Sequence, residues 1–288
     1  MAANEPTHLN WHVQTLWQQL SPLLPGIGIE VLAHAESTNT TLLERVRSES
    51  VHGEIQPYGR RADDLKPCLL IAEHQSHGRG RMGRAWLSSP GASLTFSLGL
   101  AMDLADWSGL SLAMGCAIAE ALEPLPAGQA PRLQLKWPND LWLDERKLGG
   151  ILIETVPAAG QRMAIIGVGL NIAPLNSSAA PFAPAQFGSG FAALDELLPG
   201  IDAPGALARL APALARALLD FGRGGFAAWR EAYARRDLTL GRAVTAGALE
   251  GISRGVNARG ELLLEQPGGA LQTIGGGEVS LRLADPQA

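Results

Sequence analysis

The chain of 288 residues is 46% apolar and 18% charged, which suffices to bury a core and excludes a disordered, fibrous or coiled-coil protein. A net charge of −5 excludes a general nucleic-acid coat and leaves only local basic patches to bind anions. The 34 glycines and 19 prolines follow no collagen period, so they read as turns of a compact fold. Cys68 and Cys116 sit in apolar runs, as buried thiols of a reducing compartment do, and not in a disulfide framework. The N-terminus has no basic segment followed by an apolar core, and no apolar stretch is long enough to span a bilayer. The expectation is a cytoplasmic protein without membrane contact.

In chain order, Leu9, Val13, Leu16, Trp17 and Leu20 predict a helix over 9–24, closed by Pro22 and Pro25. A short strand follows at 27–32. Ser37-Thr38-Asn39 offers an N-cap to a helix through Leu42, Leu43 and Val46. Residues 49–66 read as an exposed loop, Leu69 to Ala72 as a strand, 77–84 as a loop, and Leu94 to Leu100 as another strand. A helix over 107–122 stops near Pro124. Strands at 132–137, 140–143, 149–156 and 163–172 form a meander. Residues 174–192, rich in Ala, Pro, Ser and Gly, read as a mobile loop, followed by helices at 204–221 and 224–235. From 240 onward five short alternating runs are separated by tight glycine turns such as 257–260, which predicts a small barrel-like β module. The predicted boundary lies near 237, giving a catalytic domain over 1–237 and a C-terminal module over 238–288.

Gly78-Arg79-Gly80-Arg81-Met82-Gly83 spells G-x-G-x-x-G, with Asp103 about 20 residues on, as in a dinucleotide-binding fingerprint. That fingerprint needs a helix after its last glycine to hold the pyrophosphate. Here Arg84-Ala85-Trp86-Leu87-Ser88-Ser89-Pro90-Gly91 leads into a strand, so the dinucleotide reading fails. Arg79, Arg81 and Arg84 instead place three permanent charges in one loop. Guanidinium groups grip phosphate and carboxylate oxygens, and the glycines let backbone approach a ligand. The loop reads as an anion clamp, with a solvated basic turn as the other reading. Such a loop is expected to be mobile until anionic oxygens neutralise it.

Lys136-Trp137-Pro138-Asn139-Asp140 combines a lysine at a strand end with turn chemistry. Lys147 precedes Gly149-Gly150, which interrupt an apolar strand, and Gly167-Val168-Gly169-Leu170-Asn171 repeats the pattern. Such glycines either make room for a ligand or permit tight sheet packing, and the sequence leaves both readings open.

Taken together and in this order, these segments resemble the biotin protein ligases. The resemblance rests on Ser37-Thr38-Asn39, on Glu73 to Trp86 with its GRGRxGR core, and on KWPNDLWLDERKLGGILIE from Lys136 to Glu154. Gly167 to Ile172, Gly251 to Gly255, Leu262 to Glu265 and Gly276 to Arg282 extend it, so that it runs from about residue 30 to residue 284. It implies an α+β fold: a mixed β-sheet flanked by helices, akin to class II aminoacyl-tRNA synthetases and lipoate ligases, followed by a small SH3-like barrel. It implies that biotin and MgATP give biotinyl-5′-adenylate and pyrophosphate. The biotinyl group then passes to a lysine of the biotin carboxyl carrier protein of acetyl-CoA carboxylase.

Carried over by motif, Ser37, Thr38, Asn39 and Gln75 would meet biotin, with Gly149 and Gly150 as the pocket floor. Arg79, Gly80 and Arg81 would close over the biotin carboxylate and the phosphates. Lys136 would bridge carboxylate and α-phosphate oxygens, so that Lys136, Arg79 and Arg81 would be the catalytic cations. Arg84, Trp86, Asn171 and Arg282 would complete the nucleotide site. The role of Lys147 and the Mg²⁺ ligands stay unassigned. Three departures accompany the resemblance. Only about 30 residues precede the first predicted strand, so no DNA-binding winged helix and no DNA contact are expected. Met82 stands where many members have arginine. The stretches 50–66 and 174–192 look like an insertion and a variable loop. A homodimer is compatible with the sequence, as is a monomer. The competing functions are a lipoate or octanoyl ligase or transferase of the same fold and a non-catalytic biotin-binding regulator.

Overall fold

A computed structural model describes residues 8–52, 66–158, 161–174, 190–276 and 281–283. Most of the stretches 50–66 and 174–192, and residues 277–280 of the tail motif, lie outside these described residues.

Helix α1 (Val13–Leu20) leads to β1 (Gly28–Ala35), α2 (Thr38–His52), β2 (Cys68–Gln75), β3 (Gly78–Arg79), β4 (Ala85–Trp86) and β5 (Ser93–Met102). Then come α3 (Leu110–Leu122), β6 (Leu133–Lys136), β7 (Asp140–Leu143), β8 (Arg146–Ala158) and β9 (Gln161–Asn171). Helices α4 (Ala203–Gly224) and α5 (Arg230–Ala234) precede β10 (Ala243–Ala246), β11 (Leu249–Val256), β12 (Leu262–Glu265), β13 (Leu271–Ile274) and β14 (Leu281–Leu283).

Seven strands form one sheet in the order β1-β2-β5-β9-β8-β7-β6. The β1–β2 pair is parallel and the others antiparallel, so the sheet is mixed as expected. Period-two alternation gives it two different faces. Leu94, Phe96 and Leu98 of β5 and Ile166, Val168 and Leu170 of β9 join the main core with α1, α3 and α4. Ser93, Thr95, Ser97, Gly167, Gly169 and Asn171 alternate with them and face the other way. On that second face, α2 covers only the far end of the strands, where Leu42, Leu43 and Val46 pack on Leu70, Met163 and Ile165. The near end is left with small and polar residues, and there the cavity forms.

Several elements depart from the periodicity. The first helix is shorter than 9–24, and α2 runs to His52, past the expected loop start at 49. The second predicted C-terminal helix is split: Gly225, at φ +59, ends α4, and a 3₁₀ turn over Phe226–Trp229 precedes α5. The expected loop over 77–84 is a two-residue hairpin, β3 against β4, closed by a 3₁₀ turn over Arg81–Gly83.

The C-terminal strands form a five-stranded antiparallel sheet in the order β13-β12-β11-β10-β14. The chain reaches it along β6: Leu135 N–H donates to the Arg236 carbonyl at 2.7 Å, and Leu238 N–H to the Leu135 carbonyl at 3.0 Å. The link therefore runs one residue from Lys136. The 257–260 turn docks on the larger sheet's side. Trp137 Nε1 donates to the Gly260 carbonyl at 3.1 Å, and Arg259 pairs with Asp106 at 3.0 Å.

Candidate active site

A cavity of about 750 Å³ opens over the near end of β5, β9 and β8. Its deep end is polar and buried. Ser37 precedes α2 and accepts the Thr41 N–H on its carbonyl at 2.9 Å, so the predicted N-cap is in place. Thr38 donates from its backbone N–H and its hydroxyl to Gln75 Oε1, at 2.7 and 3.2 Å. Asn39 donates from Nδ2 to Glu154 Oε2 at 2.9 Å and to the Leu152 carbonyl at 3.2 Å. The Ser97 hydroxyl lies 2.6 Å from both Thr38 Oγ1 and Asn39 Oδ1, and its one proton serves one of them at a time. A Cβ on Gly167 would overlap the Asn39 side chain, so this glycine makes room for a site residue. Ser97 and Glu154 hydrogen-bond to these residues and were not singled out by the motif reading. The alternation Ser93-Leu94-Thr95-Phe96-Ser97 carried the signal for Ser97: polar residues at every second place of a buried strand need a reason.

The arginine hairpin crosses the mouth. Arg79 pairs with Glu154 at 2.6 Å, and Arg81 donates to the carbonyl of Gly276, two residues past β13 of the C-terminal module. Burial lowers the pKa of Arg81, against the opposing charge of Asp140. Arg84 and Gly80 line the cavity, and Met82 is 59% exposed with a left-handed backbone at φ 56. Trp86 lies on β9: a Cβ at Gly169 would come within 2.5 Å of its Cε2. Both glycines of Gly167-Val168-Gly169 therefore admit the chain's own side chains, Asn39 and Trp86, on the cavity side of the sheet.

Lys136 projects into the cavity from the end of β6. Among the described residues its ammonium has no hydrogen bond or ion pair, and it sits 4.6 Å above the centre of the Trp142 ring. Burial lowers its pKa, Asp140 opposes that, and Lys147, Arg84 and Arg282 add to it. Asp140 is engaged by Lys147 Nζ at 2.8 Å. Asn171 lines the cavity and donates to the Ala192 carbonyl at 3.1 Å, fixing the chain beside Phe191, which also lines it. Arg282 reaches the cavity from β14. One expectation needs correction. Gly150 borders the cavity, but Gly149 does not: a Cβ there would overlap the Gly169 carbonyl and Leu170 across the ladder. Gly149 is a sheet-packing glycine because neighbouring residues on a strand face opposite sides. Every other site residue named from the sequence borders this one cavity.

Residues 31–171 match the Biotin/lipoate A/B protein ligase family, and residues 239–282 match the Biotin protein ligase C terminal domain. The chain is 36% identical over 275 residues to the bifunctional ligase/repressor BirA of Escherichia coli, covering 93% of this chain and 78% of that protein. The chain belongs to the biotin protein ligase family. It is also 32% identical over 269 residues to the biotin–[acetyl-CoA-carboxylase] ligase of Mycobacterium tuberculosis, covering 88% of this chain and 89% of that one. Among solved structures, the biotin protein ligase of Aquifex aeolicus in complex with biotin and ATP aligns with a TM-score of 0.66 and 26% identity, over 89% of this chain and 99% of that one. Membership accounts for the mixed sheet flanked by helices and the C-terminal antiparallel sheet together.

Proposed function

We propose that this chain is a biotin protein ligase that condenses biotin with ATP to biotinyl-5′-adenylate and passes the biotinyl group to a lysine of the biotin carboxyl carrier protein of acetyl-CoA carboxylase. The observation that carries the reading is one cavity with two chemistries. Its deep end offers buried hydroxyls and amides to a polar ring, and its mouth offers cations to anionic oxygens.

In the first step the biotin carboxylate attacks the α-phosphorus, a C–O–P bond forms, and the bond to the β-phosphate breaks to release pyrophosphate. The carboxylate is ionised at neutral pH, so the step requires no general base. It requires two anions held in line while charge redistributes over the phosphoryl oxygens. Lys136, with its donors free of protein carboxylates, would take carboxylate and α-phosphate oxygens. Arg79 and Arg81 would leave Glu154 and the Gly276 carbonyl for the ligand's oxygens, exchanging one set of charge-assisted hydrogen bonds for another. Ser37, Thr38, Asn39 and Gln75 would hold the ureido ring, with Gly150 giving backbone access. Trp86, Arg84, Asn171 and Arg282 would face the nucleotide. In the second step the acceptor amine attacks the acyl carbon and AMP leaves. The amine's ordinary pKa is about 10.4, so it must shed a proton first.

Among the described residues no three His, Cys, Asp or Glu side chains converge as a metal cage. That fits Mg²⁺ carried in on the triphosphate, since this ion keeps several waters and relies on substrate phosphates. Bound there, it would neutralise charge on the β- and γ-phosphates. No described helix is long and apolar enough to cross a membrane, and we extend the proposal to a cytoplasmic enzyme.

The test is ATP–pyrophosphate exchange with biotin, with lipoate and with neither acid, followed by transfer to a carrier domain. Biotin-dependent exchange is expected. Exchange driven by lipoate instead would make the chain a lipoate ligase, and no exchange from folded protein would make it a binder. A Lys136→Ala variant is expected to fold and to lose most adenylation.

A further inference from the structure

Lys136 is held by a ring and not by a carboxylate. Asp140 lies directly across the β6–β7 ladder from it, yet Asp140 binds Lys147. Trp142 is the diagonal neighbour in the same ladder, two residues beyond Asp140 and on the same face. It presents its indole face to the ammonium at 4.6 Å. Trp142 is only 6% exposed, and its Nε1 finds no hydrogen-bond partner among the described residues. A buried, unsatisfied N–H costs stability, and leucine or phenylalanine would fill a core position without that cost. What the indole offers in exchange is the most electron-rich face available to a cation.

We propose that Trp142 is a positioning residue for Lys136, holding its ammonium charged and aimed at the reacting oxygens while leaving the N–H donors free for them. An ion pair would fix the lysine equally well but would occupy its donors. The ring fixes it through the face of a π-system and competes for none of them. The charged groups around Lys136 are Asp140 of β7, Lys147 of β8, Arg84 of the hairpin and Arg282 of β14. Three of the four are cations, and burial also works against the charge, so a cation–π contact carries weight here that it would lack in water. This inference rests on the proposed role of Lys136 in adenylation.

The experiment follows biotin-dependent ATP–pyrophosphate exchange against pH in the wild type, Trp142→Phe, Trp142→Leu and Lys136→Ala. The exchange reaction contains no acceptor lysine, so its alkaline limb reads the enzyme. Lysine side-chain ¹³C NMR, with Lys136 assigned from the spectrum missing in Lys136→Ala, titrates the ammonium directly. Thermal melting checks that each variant is folded, and Trp142→Phe carries the test should the leucine variant not fold. In Trp142→Leu both the alkaline limb and the NMR midpoint are expected to move down by about one pH unit, with Trp142→Phe in between because its ring is a weaker cation acceptor. A purely structural role would lower the rate and leave both midpoints in place, and that result would overturn the proposal. Near-wild-type exchange by Lys136→Ala would instead overturn the role of Lys136 itself, and this one with it.

Discussion

The Asn39 side chain occupies the space that a Cβ on residue 167 would need. Two residues along the same strand, Gly169 stands in the same relation to Trp86. One strand thus admits a polar residue at the deep end and an aromatic ring at the mouth by omitting two side chains.

These neighbours should separate kinetically. Gly167→Ala must push Asn39 off its bonds to Glu154 and Leu152. Losing about 1–3 kcal/mol of hydrogen bonding is expected to raise the KM for biotin by roughly fivefold to a hundredfold. Gly169→Ala displaces Trp86 and is expected to raise the KM for ATP instead. Steady-state exchange with each substrate varied decides between this split and a common loss, and a common loss would mean that the strand itself had moved.

The two central motifs were legible because their chemistry is local: glycines, arginines and a lysine at a turn. The strand-rich middle and the β-rich tail were legible from alternation, whereas the mixed sheet came only with the family resemblance. What escaped was relational. Residues 149 and 150 are both glycine, and only the register of β8 on β9 tells which faces the cavity. Ser97 looked like any strand serine until Thr38 and Asn39 folded against it. Glu154, read as the end of a motif, turns out to hold Arg79 and Asn39 together. Nothing in the local sequence announces pairings across such separations.

Glu154 yields a second prediction. Arg79 is anchored to it and Arg81 to the Gly276 carbonyl, so Glu154 is one mooring of the hairpin among the described residues. Glu154→Gln removes the charge from that mooring. Trypsin should then cut after Arg79 or Arg84 several-fold faster without ligand, and biotin with ATP should restore protection, because ligand anions replace the lost carboxylate. Equal cleavage of both forms would show that Glu154 does not moor the loop.

A third concerns the junction between the sheets. Gly260 has φ +76, and a Cβ there would lie 2.7 Å from Gly109 Cα, backbone against backbone. Gly260→Ala therefore strains the turn and pries it from α3, at an expected cost of about 2 kcal/mol or more. Trp137→Phe keeps a ring but leaves the Gly260 carbonyl without its donor, at about 1–3 kcal/mol. Urea unfolding measures both. Because Trp137 adjoins Lys136, the phenylalanine variant should also lose adenylation rate, whereas a variant that loses stability alone would limit the junction to a scaffold role.

The link along β6 carries a titrating group. Asp237 accepts the Thr239 N–H and hydroxyl on Oδ1, both at 2.8 Å, and is buried beside the Tyr233 hydroxyl. Burial raises the Asp237 pKa, with the Thr239 hydrogen bonds opposing it. A carboxyl whose folded pKa exceeds its unfolded one stabilises the fold fully below the unfolded value, about 3.9, and that contribution is lost as pH rises through the folded pKa. Asp237→Asn keeps an acceptor for Thr239 and cannot ionise. Its stability relative to wild type should therefore rise with pH from about 4, through the folded pKa, and then level off. Urea unfolding of both proteins across that range reads the difference directly, and a difference independent of pH would mean that Asp237 reaches solvent when it ionises.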